Sequence, residues 1–472
     1  MTILLTGATG YIGRRLLPIL VENGHEVICC VRDPERFVVP DSIKSSIEIV
    51  TVDFLEKASL QKIPREIDAA YYLIHSMSNA ANYDELEEIA AINFRDYLDT
   101  TTAEQVIYLS GIVNEKELSK HLSSRKNVES ILGSGQFSLT TFRAGIIMGS
   151  GSASFEIIRD LVEKLPIMVA PKWLNTRCQP IGIRDVIKFL DKALLNKTLY
   201  DKNYDIGGPD VLTYREMLLK FAEVRKLKRW IYTVPVMTPK LSSYWLYFVT
   251  STSYRLAISL VDSMKVEVVC RDSKINEILN IHPEKYVKTI ERAFVKIEAN
   301  QIVSSWIDSQ VSGVKNINIS DFIDVPDYGC FKDVRERDIN SRETVINRIW
   351  AIGGDTGWYH ANGLWKIRGF IDKLFGGVGL RRGRKSASIL IAGDALDFWR
   401  VLYANKEEGR LLLFAEMKLP GEAWLEFKIN ENKLIQSATF RPHGLLGRMY
   451  WYSVLPMHGI VFKGMIDKIT EG

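Results

Sequence analysis

The stretch TILLTGATGYIGRRLLPILVENGHEVICCVRDPERF, Thr2 to Phe37, decides the fold. Residues 2–6 are a short, β-favouring apolar run of the kind a buried parallel strand needs. Gly7, Gly10 and Gly13 follow at a spacing of three. Ile12, Leu16, Leu17 and Leu20 then recur at helical spacing, Asn23-Gly24 stops the helix, and HEVICCV reads as a second strand. Glycines at a strand-to-helix turn let the backbone approach a pyrophosphate. The helix N-terminus adds free N–H groups and the positive end of its dipole. A glycine triplet alone is a weak signal, since a tight turn also uses one. Set between a strand and a helix in a βαβ unit, it reads as a dinucleotide site.

The end of the second strand reports on the ribose. A carboxylate there accepts from the 2′-hydroxyl of NAD, whereas an arginine pairs with the 2′-phosphate of NADP. The chain offers Arg32, then Asp33, with Arg36 close behind. Arg32 in the first place favours NADP(H) over NAD(H). The competing reading makes Arg32 a solvated strand end and gives the binding to Asp33. The alternation continues through strands at Ile47–Phe54, Asp68–Met77, Gln105–Ile112 and Phe137–Gly149, with a helix from Tyr83 in one crossover. Strands alternating with helices predict a doubly wound α/β parallel sheet that binds ligands at the strands' carboxyl ends. Asp53, His75, Ser76, Ser110 and Gly111 fall at such ends.

Across 472 residues, 46% hydrophobic and 25% charged composition is that of an ordinary globular chain of two or three domains. A net charge of +4 is too small to argue for nucleic acid. Five cysteines fit neither a zinc site nor a disulfide framework, so a reducing, cytoplasmic setting and no metal are expected. No secretory signal is visible, because the glycine turn follows the first apolar residues at once. The most membrane-like stretch, Leu241 to Asp262, carries hydroxyls and Arg255. Its apolar runs fall short of the roughly 18 residues of a spanning helix. It reads as a helix packed on protein, with peripheral membrane contact as the lesser alternative.

TGATGYIG (6–13), VRDP (31–34), the Asp53-Phe54 pair and YLSG (108–111) together resemble the extended and atypical short-chain dehydrogenase/reductases, including the NmrA-like ones. The resemblance covers about the first 300 residues. It implies a cofactor set of Gly7, Thr9, Gly10, Tyr11, Ile12, Gly13, Arg32, Asp33, Asp53, Phe54, His75 and Ser110. That family's catalytic group is Ser, Tyr and Lys, the last two as Tyr-x-x-x-Lys on one helix. Here the helix reads HLSSRKNVESIL, with His121 in the tyrosine place, Arg125 in the lysine place and Ser110 fitting the serine. Histidine serves as an acid near neutral pH and arginine holds charge. Ser110, His121 and Arg125 are therefore the candidate catalytic group. The alternative is that proton transfer is lost and the domain only binds cofactor. Trp173, Arg177 and Gln179 are pocket candidates against a loop-packing alternative; Asp185 is a cap or first-turn acid, and Thr213 a helix cap.

From about residue 331 the chain turns rich in tryptophan. RLLLFAEMKLPGEAWLEFKI alternates with period two, which predicts an antiparallel hairpin with one buried face and a loop longer than two residues. KLIQSATFRP adds a strand, and the chain closes on a long helix containing Pro456. Antiparallel strands followed by such a helix resemble the helix-grip fold of polyketide-cyclase and lipid-transfer proteins. DFWRVLYANKEEGRLLLFAEMKLPGEAWLEFKI (397–429) and FRPHGLLGRMYWYSVLPMHGIVF (440–462) also resemble an uncharacterised bacterial domain found behind atypical short-chain dehydrogenase domains, a resemblance that covers most of 330–470. The expected division is a Rossmann unit over 1–300 and a smaller α+β unit over 320–472. Trp399, Arg400, Glu416, Arg441, His443 and Tyr452 are candidates for a cavity there. The run LRRGRK (380–385) reads as a solvated loop, with phosphate or anionic lipid as the alternative.

The expected function is an NAD(P)(H)-dependent reductase or isomerase acting on a hydrophobic small molecule. The competing readings are a cofactor-binding sensor or scaffold, and a membrane-peripheral protein handling quinone-like or lipid-like molecules. Substrate and oligomeric state are not legible.

Overall fold

The computed structural model describes residues 1–32, 34, 37, 41–74, 83–112, 120–234, 264–298, 325, 330–375, 377, 379, 390–442 and 444–471. The chain divides into two compact units, Met1–Ser309 and Gln310–Gly472.

In the first unit, β1 (Thr2–Leu5), β2 (Glu26–Val31), β3 (Ile47–Thr51), β4 (Ala69–Tyr72), β5 (Gln105–Gly111), β6 (Ser138–Ala144) and β8 (Lys202–Ile206) form one parallel sheet. Their order is β8-β6-β5-β4-β1-β2-β3. The chain winds outward from β1 to β3, then crosses back to β4, so the switch point lies between β1 and β4. Strand residues alternate between two cores. Ile3, Leu5, Val27, Cys29 and Tyr71 meet α1 (Gly13–Glu22) and α5 (Ile183–Lys192). Leu4, Ile28, Cys30, Ala70 and Tyr72 meet α2 (Tyr83–Leu98) and α3 (Lys120–Leu132). Burial on both faces is why these strands read as unbroken apolar runs.

A smaller lobe follows β6. Helices α4 (Ala153–Lys164), α6 (Tyr214–Val224) and α8 (Tyr286–Glu298) pack with a parallel pair, β7 (Ile167–Pro171) and β9 (Trp230–Val234). The short helix α7 (Lys274–Ile278) sends Ile275 into the main core. Phe155, Phe221 and Phe294 lock the three helices, their ring centroids 5.4–5.5 Å apart. Each such burial contributes about 1.5–3 kcal/mol. Thr213 caps α6 as expected, in a reciprocal box with Glu216. Asp185 lies in the first turn of α5 but does not cap it; the cap is Gly182. Its buried carboxylate instead accepts from the Glu284 N–H at 2.8 Å.

In the second unit, β10 (Phe331–Asp338), β11 (Trp399–Asn405), β12 (Arg410–Ala415), β13 (Gly421–Asn430) and β14 (Lys433–Pro442) form an antiparallel sheet in the order β10-β14-β13-β12-β11, with Ala395–Leu396 at its edge. Helices α9 (Arg342–Ala351), α10 (Asn362–Leu374) and α11 (Gly444–Thr470) share the core of its inner face. The loop between β12 and β13 spans 416–420, longer than two residues as expected. The expected single buried face is corrected. Leu402, Leu412 and Trp424 form a second apolar cluster, so the other parity is covered too. The helix α11 runs through Pro456. The carbonyl freed by the missing N–H belongs to Tyr452, a residue 63% exposed. Among the described residues no helix is long and apolar enough to cross a membrane. The stretch Leu241–Asp262 and the LRRGRK run lie outside them.

Candidate functional site

The glycine turn sits at the carboxyl end of β1, beside the switch point. Thr6 ties it to the neighbouring strand: its hydroxyl donates to the Tyr71 carbonyl at 2.9 Å and accepts from the Leu73 N–H at 3.1 Å. Gly7 takes φ +65°, and a Cβ there would lie 2.6 Å from the Leu73 carbonyl oxygen. A Cβ on Gly13 would lie 2.3 Å from the Gly7 oxygen. Gly7 and Gly13 therefore let strand, turn and helix close on each other. Gly10 differs. Its Cβ would meet only the Gly7 oxygen, at 3.1 Å, so its outer side is open. No side chain caps α1, whose N-cap is Ile12, and no acid occupies its first turn. Open space at Gly10 above an uncapped helix N-terminus fits a pyrophosphate.

Tyr11 points away from that space. A Cβ on Gly149 would sit 2.7 Å from its hydroxyl, and burial pushes its pKa up to about 12. The Arg15 guanidinium stacks 3.9 Å above its ring and donates to the Ser150 carbonyl at 2.9 Å. Tyr11 and Arg15 thus join the glycine turn to the loop after β6. Thr9 is half-buried on the same turn.

Ser110, at the carboxyl end of β5, is 6% exposed, and its hydroxyl has no hydrogen-bond partner among the described residues. Buried hydroxyls are nearly always partnered, so an orphan at a strand end needs an explanation. Arg125, on α3, donates from Nη1 to the Leu109 carbonyl at 3.1 Å, one residue before Ser110. The next turn of polar groups is also tied down, with Ser124 donating to the buried Glu87 at 2.5 Å. His121 lies in the first turn of α3, and its side chain is outside the described set.

At the ribose end, Arg32 is exposed immediately after β2. Asp53 accepts from the Leu55 N–H at 3.0 Å, and Phe54 is buried against Phe94. Asp33, Arg36, His75 and Ser76 lie outside the described residues. Gln179 is used in loop packing, bonded to the Gly208 carbonyl and the Cys270 N–H. Arg177 pairs with Glu267 at 3.5 Å, and the Trp173 ring meets Tyr214 edge-on. Among the described residues no cluster could hold a metal ion.

In the second unit, Trp399 lines an apolar cavity. Arg400 and Glu416 do not; they form a buried ion pair at 2.8 Å. Arg441 pairs with Glu422 at 2.9 Å, Tyr452 is exposed, and His443 lies outside the described residues. Sequence reasoning missed Thr6 and Arg15. Thr6 directly precedes the first glycine, which is the one signal that marked it.

Residues 7–136 match a family described as NAD(P)H-binding, and 329–465 one described as a protein of unknown function, DUF2867. A 94-residue stretch is 30% identical to an uncharacterised protein of Saccharomyces cerevisiae, covering 20% of this chain and 32% of that one. A 101-residue stretch is 31% identical to trichosetin synthetase of Gibberella fujikuroi, covering 20% of this chain and 2% of the synthetase. The chain thus spans a third or less of these relatives. Three solved structures share the fold of the first unit. A nucleoside-diphosphate-sugar epimerase of Staphylococcus aureus is 15% identical with TM-score 0.52, over 62% of this chain and all of that one. A triphenylmethane reductase of Citrobacter sp. gives the same figures. An NADPH-dependent quinone oxidoreductase of Escherichia coli is 13% identical with TM-score 0.51, over 62% of this chain and 99% of that one. The N-terminal unit thus has the Rossmann fold of these structures, and its residues 7–136 match the NAD(P)H-binding family.

Proposed function

We propose that the chain is an NADP(H)-dependent oxidoreductase acting on a hydrophobic small molecule at the carboxyl ends of β1, β4 and β5. The observation that carries the reading is Ser110. A buried hydroxyl without a partner, at the same sheet edge as the glycine turn and two strands from it, is a donor held ready for a substrate oxygen. The uncapped N-terminus of α1 and the space at Gly10 would hold the pyrophosphate. The side chain of Tyr11 is committed elsewhere, so its share falls to its backbone N–H. The nicotinamide supplies hydride transfer when bound. Ser110 holds the substrate oxygen, and His121 is assigned to protonate it. Reductase neighbours of the same fold support this class of chemistry and leave the substrate open.

The test is NADPH oxidation with a panel of apolar ketones and quinones. Ser110→Ala and His121→Gln are each expected to lower turnover about a hundredfold, with NADPH affinity unchanged. If no substrate is turned over, or if both variants match the parent, the oxidoreductase reading falls.

A second expected result concerns the ribose. Arg32→Ala weakens NADPH binding about ten- to a hundredfold, the worth of one charge-assisted pair, and leaves NADH nearly unchanged. Calorimetric titration checks it. Equal losses for both cofactors would take selection away from Arg32.

One observation favours a non-catalytic, cofactor-binding sensor instead. The Arg125 guanidinium, in the place where the resemblance puts a lysine, is bonded to the Leu109 carbonyl. In that reading Arg125 braces β5 and the site reports cofactor occupancy. NADPH binding without turnover of any substrate would support it.

A further inference from the structure

We propose that the C-terminal unit binds a small aromatic molecule bearing a carbonyl-type oxygen, in the cavity between α10, α11 and the inner face of the sheet. This site goes beyond the reading of the N-terminal unit and does not depend on it. The cavity has a volume of about 120 Å³. An engineered apolar cavity of about 150 Å³ takes up benzene, so a single small ring is about the size that fits.

The walls set the chemistry. Trp365 from α10, Trp399 from β11, Phe440 from β14, and Trp451, His458 and Phe462 from α11 all face the cavity. Their rings pack edge-on, stacked or tilted on neighbouring rings. His458 lies 4.8 Å from both Trp451 and Phe462 at nearly right angles, and Trp451 stacks on Phe440 at 5.9 Å. Such walls suit the face and edge of another ring.

Three of the residues lining these walls carry a buried polar atom without a partner. Among the described residues, Trp365 Nε1, Trp399 Nε1 and His458 Nδ1 make no hydrogen bond, although all three are shut off from solvent. A neighbour in the same aromatic cluster behaves differently. Trp358, which does not line the cavity, donates its Nε1–H to Asp397 at 2.7 Å. Among the described residues of this unit, the two orphaned indoles, Trp365 and Trp399, both belong to residues that line the cavity. Buried indole N–H groups normally find an acceptor. An apolar pocket with a few convergent polar groups is the usual form of a small-molecule site. Two donors without an acceptor select an occupant that brings one. Burial lowers the pKa of His458, opposed by Asp333 and aided by Arg335, so near pH 7 its ring is neutral and adds no charge to the wall.

The experiment uses the full chain with ¹⁵N-labelled tryptophan and no nicotinamide cofactor, so its outcome is separate from that of the oxidoreductase assay. The probes are acetophenone and ethylbenzene, alike in size and differing in the acceptor. Acetophenone is expected to shift two indole resonances saturably, assigned to Trp365 and Trp399 by phenylalanine variants. It is expected to bind about tenfold tighter than ethylbenzene, the worth of one hydrogen bond. Ala438→Leu fills the cavity and abolishes both effects. Ala423→Leu, from another strand, serves if the first variant does not fold. No saturable shift, equal affinity for the two probes, or binding that survives a folded cavity-filling variant would each overturn the proposal.

Discussion

Gly10→Val abolishes NADPH binding while the protein stays folded. The structure separates this glycine from its two companions. At Gly10 a Cβ meets only the Gly7 oxygen, at 3.1 Å, a contact a few tenths of an ångström of backbone movement relieves. The two methyl groups of valine then fill the space above the N-terminus of α1. A pyrophosphate loses its close approach to the helix N–H groups. Losing two charge-assisted hydrogen bonds costs about 3 kcal/mol or more, at least a hundredfold in affinity. Titration followed by NADPH fluorescence measures the loss, and circular dichroism checks the fold. Undiminished binding in a folded variant would place the cofactor elsewhere. Gly7→Val and Gly13→Val are poor substitutes for this test. Each drives a Cβ to 2.6 Å or less from a backbone carbonyl, and Gly7 also holds φ +65°, so both damage the turn itself.

The βαβ start was legible because its signals are local. A strand buried on both faces is apolar throughout, a turn against a helix needs glycine, and both leave marks within a few residues. The division of labour among Gly7, Gly10 and Gly13 was not legible. It depends on where the Leu73 carbonyl lies, and that is set by the pairing of β1 with β4. The orphaned state of Ser110 is likewise a property of its surroundings, although its place at a strand end was readable. In the second unit the period-two pattern gave the strands but misled on side-chain roles. Arg400 and Glu416 looked like polar lining for a cavity. They instead meet across β11 and the end of β12, on the face opposite Trp399, Val401, Ala415 and Met417, which plain alternation along each strand already implies. The pairing of β11 is irregular between Val401 and Tyr403; a bulge of that kind shifts parity beyond that point. Trp424 fell on the parity taken as outward, and only three-strand register brings it against Leu402 and Leu412.

Glu416→Gln destabilises the C-terminal unit by about 3–5 kcal/mol, the usual cost of removing one partner of a buried ion pair. Arg400 and Glu416 are 2% and 6% exposed. Arg400 donates from Nε and Nη2 to one carboxylate oxygen of Glu416, at 3.0 and 2.8 Å, and from Nη1 to the Gly393 carbonyl at 2.6 Å. A neutral amide keeps the shape but withdraws the negative charge that the buried guanidinium meets at 2.8 Å. Replacing both partners, as Arg400→Met with Glu416→Leu, removes the charge together with its partner. That double variant is expected to lose less than either single change. Six of the ten tryptophans lie in this unit, so urea unfolding followed by tryptophan fluorescence reports on it directly. A loss below about 1 kcal/mol, the range of an exposed pair, would mean that water reaches Arg400 and that the pair does not hold the unit together.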